Sequence, residues 1–359
     1  MDNLSSTRHI KQVLHRSLQV LGTVRECALV DYPQYANVGS HFLWLSEVLY
    51  LTEVLNVKIK YFSTLRDFSG NGMQEQIGNS PILLRSGYLG DFWDGIHGSK
   101  RRLIYEYIVE RFQQNPIFIM PQSIHYRDPD KLKNAARIMN SHPDLTIFAR
   151  ESASYQFVSE HFSRCRVILA PDIVFHLAGL PGLNFRTEYK SSILYLRRSD
   201  WDSGTGFSPQ HLGIADLVHN DWDVFWRVRK LSRNRVVRKL WQQHLAPPGE
   251  IASRYKWRFR YPYAKQLKQF SPSSVKLPSW NIIHSGLYQL QKHPLVITNR
   301  LHGHILSLLL DIPHILLPGP YNKMESFYNT WTHQIPSCRY VNEHRQVKKV
   351  AEELLQATQ

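Results

Sequence analysis

Short runs of β-branched and apolar residues alternate with helix-like stretches along the first half of the chain. The runs Cys27–Asp31, Val57–Phe62, Pro81–Leu84, Ile117–Met120, Leu145–Phe148 and Val167–Leu169 read as strands. Between them, His41–Leu55, Arg101–Gln113 and Ser152–Phe162 read as helices, the last entered through the polar pair Glu151 and Ser152. Strands separated by helix-length crossovers can lie side by side only in a parallel sheet, so an α/β fold with a doubly wound sheet is expected.

The pattern breaks at Gly179–Tyr189, rich in Gly and Pro, and restarts with a strand at Ser192–Leu196. A helix Asn281–Gln291, a strand Pro294–Thr298, a helix His302–Leu310, a strand His314–Leu317 and helices Met324–Thr332 and Val347–Leu355 follow. At 359 residues the chain exceeds what one core usually fills, so two domains are expected, residues 1–185 and 186–359, with a cleft between them.

The formal charge is +15, which favours anionic partners. Most of the excess lies between Arg227 and Lys268, where thirteen basic residues face the single acid Glu250, a net of +12. This basic insertion, at about residues 221–280, interleaves its charges with Trp222, Trp226, Trp241, Trp257 and tyrosines. Such a mixture suits a surface resting on anionic lipid; the alternatives are a solvated face and a nucleic-acid surface. The cleft-enzyme pattern elsewhere argues against nucleic acid as the partner.

Cys27, Cys165 and Cys338 lie far apart with no CxxC or Cys/His ligand spacing, so neither a disulfide framework nor a metal site is expected. Charges throughout the N-terminal stretch and the lack of an apolar run of roughly 18 residues argue against a signal peptide and a spanning helix. The expected location is the cytoplasm, with the inner membrane face as a docking surface.

Chemistry concentrates at the turns that follow strands. In Thr298-Asn299-Arg300-Leu301-His302-Gly303-His304 a strand gives way to a helix, whose unpaired N–H groups and dipole favour an anion. Arg300 can grip a carboxylate or phosphate with two hydrogen bonds, and His302 is suited to proton transfer near neutrality. The structural alternative is that His302 and His304 cap the helix while Arg300 pairs with a buried acid. Downstream, Lys323 and Ser326 open another helix after Gly319-Pro320-Tyr321-Asn322, and Lys323 can reach the same anion. Arg150 and His125 each close a strand of the first half, where ligands of open α/β sheets bind. Asn37 and Gly39 lie in the first strand-to-helix turn, and Arg85-Ser86-Gly87 forms a similar turn after the third strand.

Taken in order, NVGSHFLWLSE, PQSIHY, FARESASY, APDIVF, YLRRSD, TNRLHGHILSLLL and GPYNKMESFYNTW resemble the polysaccharide pyruvyl transferase family over about residues 26–332. The resemblance implies two Rossmann-like domains facing a cleft, similar to B-type glycosyltransferases. It also implies phosphoenolpyruvate as a substrate, a glycan acceptor that is lipid-linked or free, and transfer without a metal or other cofactor. Arg150, Arg300, His302 and Lys323 match the family's anion-binding and proton-transfer positions, and the product is a cyclic ketal of pyruvate on a sugar. The chain departs from the family in having Ser40 where an acid usually follows the glycine, and Arg85-Ser86-Gly87 where glycines are common. A nucleotide-sugar glycosyltransferase of the same architecture is the alternative reading.

Overall fold

Strand β1 (Glu26–Tyr32) is buried along almost its whole length, as a strand covered by helices on both faces must be. It lies inside a parallel sheet in the order β2 (Lys58–Thr64), β1, β3 (Ile82–Leu84), β5 (Ile117–His125), β6 (Leu145–Ala149) and β7 (Arg166–Leu169). The short strand β4 (Gly87–Gly90) runs on from β3 after a break at Arg85-Ser86, and pairs with Gln122–His125 of β5. The computed structural model describes residues 6–91, 96–185, 190–198, 207–222, 248–260, 263–275 and 278–357.

A second parallel sheet follows in the order β12 (Cys338–Tyr340), β11 (His314–Leu316), β10 (Val296–Thr298), β8 (Ile193–Leu196) and β9 (Leu217–Asn220). The strands of the first sheet fall within residues 26–169 and those of the second within 193–340, so the chain is α/β throughout. In each sheet the order reverses beside the first strand: β1 lies between β2 and β3, and β8 between β9 and β10. Connections that leave such a strand pair in opposite directions open a crevice at the carboxyl ends. The two crevices face one cleft.

What joins the halves is apolar. The helix Val38–Leu49 is buried on every side, which explains why VGSHFLWLSEVL has no polar face. It packs on the equally buried helix Ser279–Leu290 of the second half, and one continuous core runs across both. Gly286 allows this approach, because a Cβ there would stand 2.4 Å from Val38 Cγ1.

The basic insertion departs in part from its expected role. Trp222 and Trp257 are buried, and Trp257 Nε1 donates to the Gly182 carbonyl at 2.9 Å, so neither can rest in a headgroup layer. Trp226 and Trp241 lie outside the described residues. Among the described residues, no helix is long and apolar enough to cross a membrane.

Candidate active site

The cleft between the sheets holds about 690 Å³ of open space, a size that suits a small ligand. Six cations line it: Arg85, Arg101 and Arg150 from the first half, Arg198, Arg300 and Lys323 from the second. No Asp or Glu is among the described residues of the lining. The acids stand behind the arginines and hold them in place.

Arg150 follows β6, where Nη1 donates to Asp172 Oδ2 at 2.8 Å and Nε to Ser123 Oγ at 2.8 Å. Arg300 is the residue before the helix Leu301–Leu309, and its Nε and Nη2 grip Asp221 at 2.5 and 2.6 Å. The two-pronged edge expected to hold a ligand therefore holds a carboxylate of the protein. This anchoring fixes the arginine before substrate arrives, which is what preorganised charge stabilisation requires. Arg85, wholly buried, donates to Asp31 Oδ2 at 2.9 Å, and Arg101 Nε stands 3.1 Å from the same oxygen. Asp31 adopts φ of 84°, a left-handed backbone that a non-glycine residue takes only at a cost.

His302 lies in the first turn of the helix Leu301–Leu309. Its Nε2 is 3.5 Å from Asp172 Oδ2, an ion-pair approach without hydrogen-bond alignment, and that buried nitrogen has no hydrogen-bond partner. Burial pushes the imidazole below its ordinary value; Asp172 pulls it up, while Arg150 and Lys323 push it further down. The resting ring is therefore neutral, a base rather than an acid. Burial would raise Asp172, yet His302 and Arg150 hold it below the usual carboxylate range. The opposite edge of the ring faces the first half, where a Cβ on Gly39 would stand 2.3 Å from His302 Nδ1. Gly39 is thus the space that admits His302, and Asn37 caps the helix Val38–Leu49 by accepting from Gly39 N at 3.0 Å.

Lys323 is buried and reached through two consecutive left-handed residues, Tyr321 at φ 45° and Asn322 at φ 56°. The Tyr321 ring stacks on His125 at 4.7 Å and 4°, so His125 buttresses this loop instead of lining the cleft. Ser326 is also set back: its Oγ accepts from Ala153 N at 3.1 Å, at the start of the helix Ser152–His161. Asn299 is buried and accepts from Arg198 N at 2.7 Å, positioning an arginine of the lining. Arg150, Arg300, His302, Lys323 and Asn37 come together in the cleft as the sequence suggests. The roles of Asp172 and Asp221 are not legible in the sequence, because acids far apart in the chain from Arg150 and Arg300 give no local sign of their partners.

His304 does not join the site. His304, His314 and Cys338 form a buried group whose ligand atoms all lie within 4.8 Å of one another, close enough on distance to hold a metal. Hydrogen bonds account for it without an ion. The Ile312 carbonyl fixes a proton on His314 Nδ1 at 2.9 Å, so His314 Nε2 accepts from His304 Nδ1 at 2.7 Å, and Thr332 donates to His304 Nε2 at 3.0 Å.

The described lining of the cleft between the two parallel sheets thus combines cations with a histidine beside a buried carboxylate. The sequence pattern of the polysaccharide pyruvyl transferases matches residues 37–319, and the chain belongs to that family. It is 25% identical over 326 residues to pyruvyl transferase 1 of Schizosaccharomyces pombe, covering 86% of this chain and 70% of the relative. It is 26% identical over 346 residues to EpsO of Bacillus subtilis, provisionally named a pyruvyl transferase, covering 95% and 96%. A solved structure of a functionally uncharacterised Klebsiella pneumoniae protein shares the fold with a TM-score of 0.54 and 14% identity, over 96% of this chain and all of that one. The chain is thus a transferase of the pyruvyl transferase family, which implies a glycan acceptor.

Proposed function

We propose that this protein moves the pyruvyl group of phosphoenolpyruvate onto a sugar of a surface polysaccharide or its precursor, closing a cyclic ketal on two hydroxyls. The observation that carries the reading is a cleft whose described lining includes six cations, no Asp or Glu, and the neutral His302. Phosphoenolpyruvate brings a phosphate and a carboxylate, and Arg150, Arg300 and Lys323 supply cations on both walls. The unpaired N–H groups at the start of the helix Leu301–Leu309 add positive potential there. His302 takes the proton of the attacking hydroxyl, and Asp172 balances the imidazolium that forms.

Docking on an anionic membrane surface, where a lipid-linked acceptor would be presented, belongs to the same reading. Its support is the charge of the Arg227–Lys268 segment alone, since two of its tryptophans are buried.

The test is incubation with phosphoenolpyruvate and a panel of glycans, reading a mass gain of one pyruvyl ketal together with phosphate release. His302→Ala should lower turnover by about 10²- to 10⁴-fold while donor affinity changes far less. Nucleotide release from a sugar nucleotide, with no phosphate from phosphoenolpyruvate, would replace this reading with the glycosyltransferase alternative.

A further inference from the structure

Beside the main cleft, a second cavity of about 530 Å³ has its described lining in the first half alone. Asp31 and Tyr32, the last residues of β1, stand in its wall, with Leu65 just after β2 and Leu89 in β4. Ligands of open α/β sheets bind at this carboxyl edge, beside the strand where the sheet order reverses, and that strand is β1. The two cavities adjoin, since Tyr35, Tyr88 and Arg101 line both. Each falls in the range of about 300–1,000 Å³ that suits a ligand of its own.

Their chemistry differs. The main cleft gathers six cations, with no Asp or Glu among the described residues of its lining. The second cavity sets Arg101 and Arg102 against an acid in its own wall, Asp31, whose Oδ2 is 3.1 Å from Arg101 Nε. Arg102 Nη1 donates at 3.2 Å to both carboxylate oxygens of Glu106. Charge so nearly balanced gives a second phosphate or carboxylate little reason to enter. Much of the remaining wall is aromatic or aliphatic: Tyr32, Tyr35, Tyr88, Leu65 and Leu89. A sugar ring has a C–H face that rests on such a wall and a rim of hydroxyls for planar polar side chains. Two are at hand. Gln34 is exposed and offers an amide, and Arg102 Nε is buried with no hydrogen-bond partner among the described residues. A buried donor left in that way is costly, and a sugar hydroxyl would satisfy it.

We infer that the second cavity holds the sugar next to the one that receives the ketal, so that the acceptor is an oligosaccharide recognised over at least two units; this rests on the transfer proposed above. The donor and the receiving sugar share the main cleft, among the cations and beside His302. From there the glycan passes Tyr35, Tyr88 and Arg101 and lays its next unit against the tyrosines and leucines. Contacts made there are remote from the reacting atoms, yet they hold the receiving hydroxyls against the donor, so a longer acceptor should react faster.

Acceptors of one and two sugars, built on the glycan that gains a ketal in the panel above, test this. In the unaltered enzyme kcat/KM should rise by about tenfold or more from one sugar to two, while KM for phosphoenolpyruvate is the same with either. Leu65→Trp fills the second cavity, and the advantage of the second sugar should shrink to within about twofold. Should Leu65→Trp fail to fold, Gln34→Ala carries the test, because it shortens an exposed side chain; the advantage should then fall by about threefold. Equal use of one and two sugars by the unaltered enzyme overturns the inference while pyruvyl transfer stands. So does an undiminished advantage in Leu65→Trp, or in Gln34→Ala where that variant stands in. An unaltered enzyme that releases no phosphate from phosphoenolpyruvate and adds no ketal to any glycan overturns the proposed function, and this inference with it.

Discussion

At the scale of single residues, the contact between Gly39 and His302 links the two halves of the site. The imidazole of His302 fills the volume that any side chain at 39 would need, since an added Cβ would lie 2.3 Å from Nδ1 and 2.4 Å from Cγ. Such contacts do not occur in proteins, so one of the partners must move. Gly39→Ala would also gain helix propensity, worth about 1 kcal/mol in a helix interior and less so near an end. The variant is therefore expected to remain folded while His302 is pushed off its place beside Asp172. A displacement of that order costs about 10²-fold in turnover. Melting should shift by only a few degrees while turnover collapses, and normal turnover in Gly39→Ala would mean that the ring position does not matter. In the sequence Gly39 reads as part of a ligand turn; the structure shows that it makes room for the His302 ring, which no local pattern reveals because the contact joins residues 39 and 302.

At the scale of elements, the strands with strong apolar runs were legible, and the weak ones were not. The expected Leu145–Phe148 and Ile117–Met120 fall within β6 and β5, and the expected helix at His302–Leu310 starts one residue earlier, at Leu301. β4, β9 and β12 were missed: Gly87–Gly90 carries two glycines, and Leu217–Asn220 is largely exposed at a sheet edge. The helices Thr7–Ser17, Gly70–Ile77 and Pro129–Ser141 were missed as well. The helix that carries His302 shows how packing overrides propensity. Gly303→Ala should stabilise an exposed helix by about 1 kcal/mol. Here an added Cβ would meet Thr298 Oγ1 at 2.6 Å and Leu196 Cδ2 at 2.9 Å, both on the sheet below. Overpacking a tight core costs about 1–3 kcal/mol, more than the propensity gain, so the net sign is destabilising. We expect a lower denaturation midpoint and reduced turnover, because the helix start that aims Arg300 and His302 must lift from β10. A stabilised Gly303→Ala would show that the interface can yield.

At the scale of the whole molecule, the buried histidines set how the fold responds to acid. Burial pushes His41, His176 and His284 down to about 3 and His314 to about 4, against an ordinary value of 6.5. Between those limits the unfolded chain binds protons that the folded chain refuses. Stability is therefore full above about 6.5 and falls as the pH drops toward 4 and 3. Each such histidine adds a slope of about 1.4 kcal/mol per pH unit across this window. Glu47, raised by burial to about 7, and Glu151, raised in the same way, act oppositely from their folded values down to 4.5, because there the folded chain binds the extra proton. The histidines outweigh the acids, so acidification destabilises the fold, against a usual total of about 5–15 kcal/mol. The urea midpoint should fall steeply between pH 6.5 and 4.5. His284 supplies a control: its Nδ1 is buried without a partner and its ring stacks on Phe185 at 4.9 Å, so His284→Phe keeps the shape and removes one proton from the balance. That variant should match the unaltered chain or exceed it at pH 7.5, and its midpoint should decline less on acidification. A parallel decline in both proteins would show that His284 takes its proton in the folded state, and would remove it from the acid response.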